Sequence, residues 1–411
     1  MPRNIITALD VGTSTVQTVV AERKKGNGGL RILGMGIAPS YGLRRGVVVD
    51  LGETIASIRS SVEEARKSSA VPIKSVWLAI GGSHVSVTSS RGVVAVSRAD
   101  GEISSEDARR AIAAAETFIP KNPNKEILHI IPRDFKVDNE SGIKDPVGMH
   151  GVRLEVDALI IECGTPFLKN LFKCVESSGL HVEDYVFSAL AASEAVLTKR
   201  QKELGVVLLD LGGGTSSFIV HEEGVPVHAG VLPIGGGHIT GDVAIGFRTN
   251  PDAAERIKVA YGSCLPAEAG KREVVRLAEY VEGDAASYSR KELAEIVEAR
   301  LKDVFELLHK ELKKIDRVEL LPAGVVLVGG SSLLPGMVEL TKREVRLPVE
   351  LGKPVDFLEA LDESIAPSFA TVLGVLKWAE AKRNESGYRW SASLAGSHNP
   401  AWLRWIRSLL P

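Results

Sequence analysis

The stretch Val206-Val207-Leu208-Leu209-Asp210-Leu211-Gly212-Gly213-Gly214-Thr215-Ser216-Ser217-Phe218-Ile219-Val220 decides how the chain is read. An apolar, β-branched run ends in an aspartate. Three glycines and a hydroxyl cluster follow, and a second β-rich run resumes. The pattern predicts a buried strand, a tight turn and a returning strand. Consecutive glycines let backbone N–H groups approach an anion with no Cβ in the way. A carboxylate beside phosphate is repulsive unless a cation lies between them, so Asp210 points to Mg2+ or a metal-bound water. Taken alone, the same residues also fit an ordinary Gly-rich hairpin turn.

An echo near the N-terminus shifts that balance. Ile5-Ile6-Thr7-Ala8-Leu9-Asp10-Val11-Gly12-Thr13-Ser14-Thr15-Val16-Gln17-Thr18-Val19-Val20 repeats the order of strand, Asp, Gly, hydroxyls and returning strand. Two such units about 200 residues apart imply a duplicated α/β architecture with two half-sites facing each other, as a nucleotide held between two phosphate hairpins requires.

Composition narrows the class. The chain has 411 residues, 44% apolar and 25% charged, which predicts a soluble globular protein of several domains. A formal net charge of −2 supplies no basic field for nucleic acid. The three cysteines, Cys163, Cys174 and Cys264, fit neither a zinc site nor a disulfide framework and read as buried small hydrophobes in a reducing cytosol. The opening Met-Pro-Arg-Asn leads into a strand and predicts no signal peptide, and no apolar run is long enough for a spanning helix.

Along the chain, three strands are expected between Ile5 and about Ile37, a helix from Gly52 to Ser68, and a buried strand Val76–Ile80 ended by Gly81-Gly82. The texture then changes. Strands His84–Thr88 and Arg91–Ser97, a helix capped by Ser104-Ser105-Glu106-Asp107, strands Glu126–Pro132 and Phe135–Asp138, and a strand Val152–Ile161 read as a small inserted α+β module. A helix Pro166–Ser178, a strand Val182–Phe187 and a helix Ser188–Leu197 resume the α/β layer. Glu194, the lone acid on that last helix, is either exposed at one edge or aimed at something polar; its place just before Asp210 makes a water-orienting role the expectation. After the central hairpin come a Gly-rich strand end, Gly230–Gly237, and a helix placing Glu255 and Lys258 three residues apart on one face. These two form a surface ion pair or serve ribose hydroxyls. Arg276–Val281 reads as a strand and Ser289–Ile315 as a long amphipathic helix. Gly324–Gly336 is a third strand-to-Gly turn, and Ala366–Arg383 a final apolar helix.

The Asp-x-Gly-Thr hairpin, the Asp-x-Gly-Gly-Gly-Thr hairpin and the Val-Gly-Gly-Ser turn, in that order, resemble the phosphate-1, phosphate-2 and adenosine motifs of the actin/Hsp70/hexokinase ATPase superfamily. Within it, Gly81-Gly82-Ser83-His84-Val85, Ser90-Arg91-Gly92-Val93-Val94 and Gly142-Ile143-Lys144-Asp145-Pro146-Val147-Gly148-Met149-His150-Gly151-Val152-Arg153-Leu154-Glu155 closely resemble the module that distinguishes the FtsA family of bacterial cell-division proteins. The resemblance implies an actin-like two-lobed ATPase fold of duplicated ribonuclease H-like domains. It implies ATP and Mg2+ in the cleft, self-polymerisation on the cytoplasmic face of the membrane at the division site, and tethering of FtsZ, the tubulin-like division protein, with other division proteins as partners. Asp10 and Asp210 would face Mg2+ and its waters, and Gly12, Thr13, Ser14, Gly212, Gly213, Gly214 and Thr215 would cradle phosphates. Glu194, with Asp210, would act on the attacking water. Gly236, Glu255, Lys258, Gly329, Gly330 and Ser331 would hold sugar and base. Many relatives carry a phosphate-binding lysine in the first hairpin. Here Ser14-Thr15-Val16-Gln17 offers none, which keeps ATP binding but removes a charge from hydrolysis.

The end of the chain adds a physical signal. Residues 384–399 are rich in Ser, Gly and Asn and read as a flexible linker. In Pro400–Pro411, at about 100° per residue, Trp402, Leu403, Trp405, Ile406, Leu409 and Leu410 fall in an arc of roughly 160°, with Arg404 and Arg407 opposite. This is the pattern of an in-plane membrane anchor, or else of a helix that docks on protein. The expected division is 1–82, 164–197 and 366–383 for the first lobe, 83–163 for the insert, 198–235 and 311–365 for the second lobe, and 236–310 for its smaller subdomain, the expected FtsZ contact. Two other functions share the superfamily: a PilM-like pilus-assembly ATP-binding adaptor, and a soluble metabolite kinase. The anchor pattern and the lack of an extra acidic motif disfavour both.

Overall fold

The computed structural model describes residues 4–24, 29–117, 119, 122–270 and 273–384. The tail readings at Trp402, Leu403, Arg404, Trp405, Ile406, Arg407, Leu409 and Leu410 lie outside the described residues.

Strands β1 (Ile5–Val11), β2 (Thr15–Arg23) and β3 (Leu30–Pro39) open the chain. A small hairpin, β4 (Leu43–Arg44) and β5 (Val47–Val48), leads to α1 (Leu51–Ser69) and β6 (Ser75–Ile80). Asp50 starts α1 by accepting the Glu53 N–H at 2.9 Å, which satisfies one of the orphan donors of the first turn. The insert follows: β7 (Val85–Ala95), α2 (Ser105–Thr117), β8 (Lys125–Val137), β9 (Glu140–Ile143) and β10 (Arg153–Gly164). Then come α3 (Thr165–Ser177), β11 (His181–Phe187) and α4 (Ser188–Val196). The second half holds α5 (Lys199–Leu204), β12 (Val206–Leu211), β13 (Ser216–Glu222), β14 (Val225–Leu232), α6 (Gly236–Gly246) and α7 (Pro251–Tyr261). It continues with β15 (Val274–Arg276), β16 (Ser287–Ser289), α8 (Arg290–Lys313), β17 (Val325–Val328), α9 (Met337–Val345), β18 (Val349–Leu351) and α10 (Ala370–Asn384).

The duplication is visible in the sheets. One has the order β11-β6-β1-β2-β3, the other β18-β17-β12-β13-β14. In each, a hairpin pair is antiparallel and its first strand runs parallel to the next two. Register repeats as well: Asp10 pairs with Gln17 and Asp210 with Ser217. Parallel strands bury both faces, which is why Val206–Leu209 and Val76–Ile80 read as unbroken apolar runs.

The insert is a four-stranded sheet, β7-β10-β8-β9, backed by α2. Leu154, Val156, Ala158 and Ile160 pack towards α2, whereas Leu159, Ile161 and Cys163 join the core of the first lobe. Period-two alternation thus serves two cores at once.

The expected pairs of short strands are single strands here. His84–Thr88 and Arg91–Ser97 merge into β7, held along its length by β10. Glu126–Pro132 and Phe135–Asp138 merge into β8. Pro132 lacks an N–H, and the ladder absorbs this by skipping Arg133 between Pro132 and Asp134. Arg276–Val281 is corrected. The strand ends at Arg276, and Leu277–Glu279 is a 3-10 turn closed by the Tyr280 N–H on Leu277 O at 2.8 Å.

Helices α4 and α10 cross where a Cβ on Gly374 would run into the Ala191 carbonyl oxygen. Gly374→Ala is therefore expected to destabilise the protein by about 2 kcal/mol by forcing two helix backbones apart. Its thermal unfolding midpoint measured against that of Gly241→Ala, at a glycine with open space around it, checks this.

Candidate nucleotide cleft

The two hairpin turns open into one cleft of about 560 Å3 between the lobes. A Cβ on Gly12 or on Gly212 would stand 2.9 Å from the carbonyl oxygen of Thr15 or Thr215 respectively, so the two turns have the same tight shape. They also abut. A Cβ on Gly213 would run into Ser14 Oγ, and one on Gly214 would lie 2.6 Å from Thr13 Oγ1. Thr13 Oγ1 in turn accepts the Gly46 N–H at 3.0 Å from the β4–β5 hairpin. Behind the second turn, Gly236 N donates to Gly212 O at 2.9 Å and Gly237 N to Gly213 O at 2.7 Å, which fastens the start of α6 to it.

Asp10 and Asp210 end the two central strands and both line the cleft. Asp210 Oδ2 accepts the Thr371 hydroxyl at 3.0 Å. Gly329 stands at φ 86° with no room for a Cβ beside Asp210 Oδ1, so only glycine lets the third turn pass here. Burial, and then the charge of Asp210, push the Asp10 carboxyl up to about 7. Burial raises Asp210 too, opposed by the bond from Thr371. Two half-buried acids facing one cleft form a site that a divalent ion would relieve. No group of three or more His, Cys, Asp or Glu side chains suited to a metal occurs among the described residues, so an ion at this pair would complete its shell with water and phosphate oxygens.

At the other end, Lys258 is buried and its Nζ donates to Glu255 Oε2 at 2.6 Å, Thr240 Oγ1 at 3.0 Å and Gly236 O at 3.3 Å. Glu255 remains half-exposed and free to bind further. Ser331 Oγ faces Gly236 so closely that a Cβ there would collide, whereas Gly330 has open space where its Cβ would be. Val259, Leu334 and Pro335 supply apolar wall. This end of the cleft thus combines polar groups with apolar wall and open space over Gly330, a lining suited to a sugar and a base.

Of the expected site residues, Asp10, Gly12, Thr13, Ser14, Asp210, Gly212, Gly213, Gly214, Thr215, Gly236, Glu255, Lys258, Gly329, Gly330 and Ser331 all line this cleft. Glu194 does not, and its water-orienting role is corrected. Its carboxylate takes Lys202 Nζ at 2.7 Å at the protein edge, because α5 folds back beside α4 and brings a lysine within reach. Thr371, Ser217 and Gln17 also line the cleft and escaped sequence reasoning. Two of them were accessible to it, since Gln17 and Ser217 each stand seven residues after the hairpin aspartate and pair with it in register. The three cysteines are free and buried, and burial raises their thiols to about 11 or 12.

The cell division protein FtsA of Pseudomonas aeruginosa is 36% identical over 394 residues, 96% of this chain and 93% of that protein. The chain belongs to the FtsA family. Family models agree: one described as "SHS2 domain inserted in FTSA" matches residues 82–162, and "Cell division protein FtsA" matches 207–374. The FtsA of Borreliella burgdorferi is 38% identical over 378 residues, 92% of this chain and 91% of that one. Among solved structures, a chain of the PilM–PilN type IV pilus biogenesis complex is similar with a TM-score of 0.65 at 19% identity, covering 92% of this chain and 99% of that one. MreB 5 of Spiroplasma citri bound to AMPPNP gives 0.55 at 13%, covering 94% and 98%. These two show a shared actin-like fold and nothing finer; the PilM alternative does not outweigh the FtsA relatives. The protein is an actin-like cell-division protein carrying the SHS2 insert, and its fold family implies nucleotide binding.

The raised Asp10 carboxyl has a consequence for stability. The folded chain holds a proton that the unfolded chain releases from about pH 4 upwards, so this contribution is complete below pH 4 and lost by pH 7. In EDTA, thermal stability is expected to fall across that window by up to about 4 kcal/mol from this group. Asp10→Asn should flatten the slope; parallel wild-type and variant curves would contradict the assignment.

Proposed function

We propose that the cleft binds ATP with Mg2+ and that nucleotide binding controls polymerisation of the protein on the cytoplasmic face of the membrane, where it tethers FtsZ at the division site. The observation that carries the nucleotide reading is the pair of abutting glycine turns, each flanked by a carboxylate that makes no ion pair among the described residues. The residues fit the group. Side chains are absent where phosphates need backbone N–H groups, and Gly330 leaves open the space a ring would fill. Asp10 and Asp210 would hold the ion's waters. Gly12, Thr13, Ser14 and Gly212 to Thr215 would hold phosphates, and Gly236, Glu255, Lys258, Gly329, Gly330 and Ser331 the nucleoside. When bound, Mg2+ would neutralise phosphate charge. With Lys258 committed to Glu255 and Thr240, and no lysine in the first hairpin, turnover is slow and the nucleotide acts mainly as a closing ligand.

In this reading the lobes and subdomains divide at the residues given above. The small subdomain 236–310 meets FtsZ, other division proteins join, and Trp402, Leu403, Trp405, Ile406, Leu409 and Leu410, with Arg404 and Arg407, attach the chain to lipid. A short helix binds lipid reversibly, and a filament lines up many of them, so attachment follows assembly.

Electron microscopy on a lipid monolayer with and without ATP tests the switch; no nucleotide-dependent polymer would defeat it. Asp210→Ala should weaken Mg2+-dependent ATP binding at least about tenfold, since it removes a charged partner of the ion. Glu194→Ala should leave turnover within about twofold of wild type, because an edge ion pair contributes little. Liposome sedimentation of the full chain against a chain ending at Asn399 tests the anchor, and equal binding by both would refute it.

A further inference from the structure

Among the described residues that line the cleft, Gln17 alone keeps a buried side-chain polar atom without a partner. It stands on β2 opposite Asp10, and cross-strand partners project to the same face of a sheet. Its Nε2 donates to Ser368 O at 3.2 Å, which fixes which end of the amide is oxygen. Gln17 is only 6% exposed, and its Oε1 has no hydrogen-bond donor. A buried amide oxygen left in that state costs stability, so its donor arrives with a ligand.

The neighbours restrict what that ligand group is. With a cation bound, Asp10 and Asp210 are ionised and can only accept, and the Thr371 hydroxyl is already given to Asp210. Phosphate oxygens also accept, so the terminal phosphates of a nucleotide cannot satisfy Gln17. A water polarised by a divalent cation donates both its hydrogens, one of which can go to an amide while the other goes to a carboxylate. Resting on the Mg–ATP reading above, we infer that Gln17 Oε1 receives a hydrogen bond from a water of the divalent cation, beside Asp10 and Asp210. Gln17 is a positioning residue, and it supports the ion without placing a charge on the phosphates.

The same amide links the ion to the closure of the lobes. Ser368 belongs to the 3-10 turn Ala366–Phe369 that enters α10. Its neighbour Pro367 accepts the Gly329 N–H at 3.0 Å, and Thr371 reaches Asp210. An ion-bound water on Gln17 thus joins the first hairpin to the segment that already grips the second lobe.

The test is ATP affinity in EDTA and at saturating Mg2+, by calorimetry on the full chain. Gln17→Met keeps the length and removes the amide. It should leave the EDTA affinity unchanged and cut the Mg2+-dependent gain about tenfold, the loss of one hydrogen bond to a charged assembly. Gln17→Glu, which keeps the acceptor and adds charge, should tighten Mg2+ binding several-fold. With Mn2+ and AMPPNP, pulsed electron–nuclear resonance should show a changed proton coupling of the bound waters in Gln17→Met. An equal loss with and without Mg2+, or an unchanged gain and an unchanged spectrum, would overturn the inference. Should Gln17→Met fail to fold, an Mg2+ affinity left unchanged by Gln17→Glu overturns it equally. If the wild type itself binds no ATP, the nucleotide reading fails instead, and the two failures are distinct.

Discussion

Two turns from opposite lobes meet without side chains between them, and the rest of the cleft depends on that contact. Gly213 and Gly214 lie against Ser14 and Thr13 with no space for a Cβ. Hydroxyls of one hairpin therefore face the bare backbone of the other. The lobes can approach this closely only because glycine stands at both positions, and the same absence of side chains leaves N–H groups available to an anion. Packing and binding thus impose one requirement at one place.

Charge sets the second constraint. The fold half-buries two carboxylates at the ends of its two central strands, and Asp210 receives the hydroxyl of Thr371. Each acid is driven towards its neutral form, Asp10 by burial and the charge of Asp210, Asp210 by burial against the bond from Thr371. An unliganded cleft stores this electrostatic cost, and a cation would release it. Beside the two acids runs the segment 366–371, whose Ser368 bonds to Gln17 of the first lobe while Pro367 and Thr371 bond to Gly329 and Asp210 of the second. Binding energy gained there bears directly on how the lobes stand to one another.

The insert is tied into the same frame. Arg133 Nη1 donates to Val227 O on β14 at 3.1 Å, and Lys144 pairs with Glu223 at 3.0 Å. Strand β14 runs straight to Gly235 and the backbone bonds behind the second hairpin. The module therefore touches the second lobe at the strand that leads into the cleft, although it is inserted in the first. The family relationship identifies the module, but these contacts show how it is joined to the cleft.

Much of this was legible in the chain because the signals are local. Strand, aspartate, glycine and hydroxyl follow one another within a dozen residues, so the hairpins, their duplication and most cleft residues could be read from order and spacing. Alternation on β10 and the helical spacing on α1 were equally local. What the sequence could not give depends on partners far along the chain. Glu194 looked poised for water because nothing in its own helix pairs it; only the return of α5 brings Lys202 to it. Gln17 stood only as part of a stretch that offers no lysine, and its meaning rests on Ser368, 351 residues away. The runs before and after Ser89 became one strand only because β10 lies alongside. Sequence by itself determined which residues could serve a nucleotide, since that follows from side-chain chemistry and backbone freedom. Tertiary structure decided which of them face the cleft and which are neutralised elsewhere, since that depends on distances between segments that no local pattern encodes.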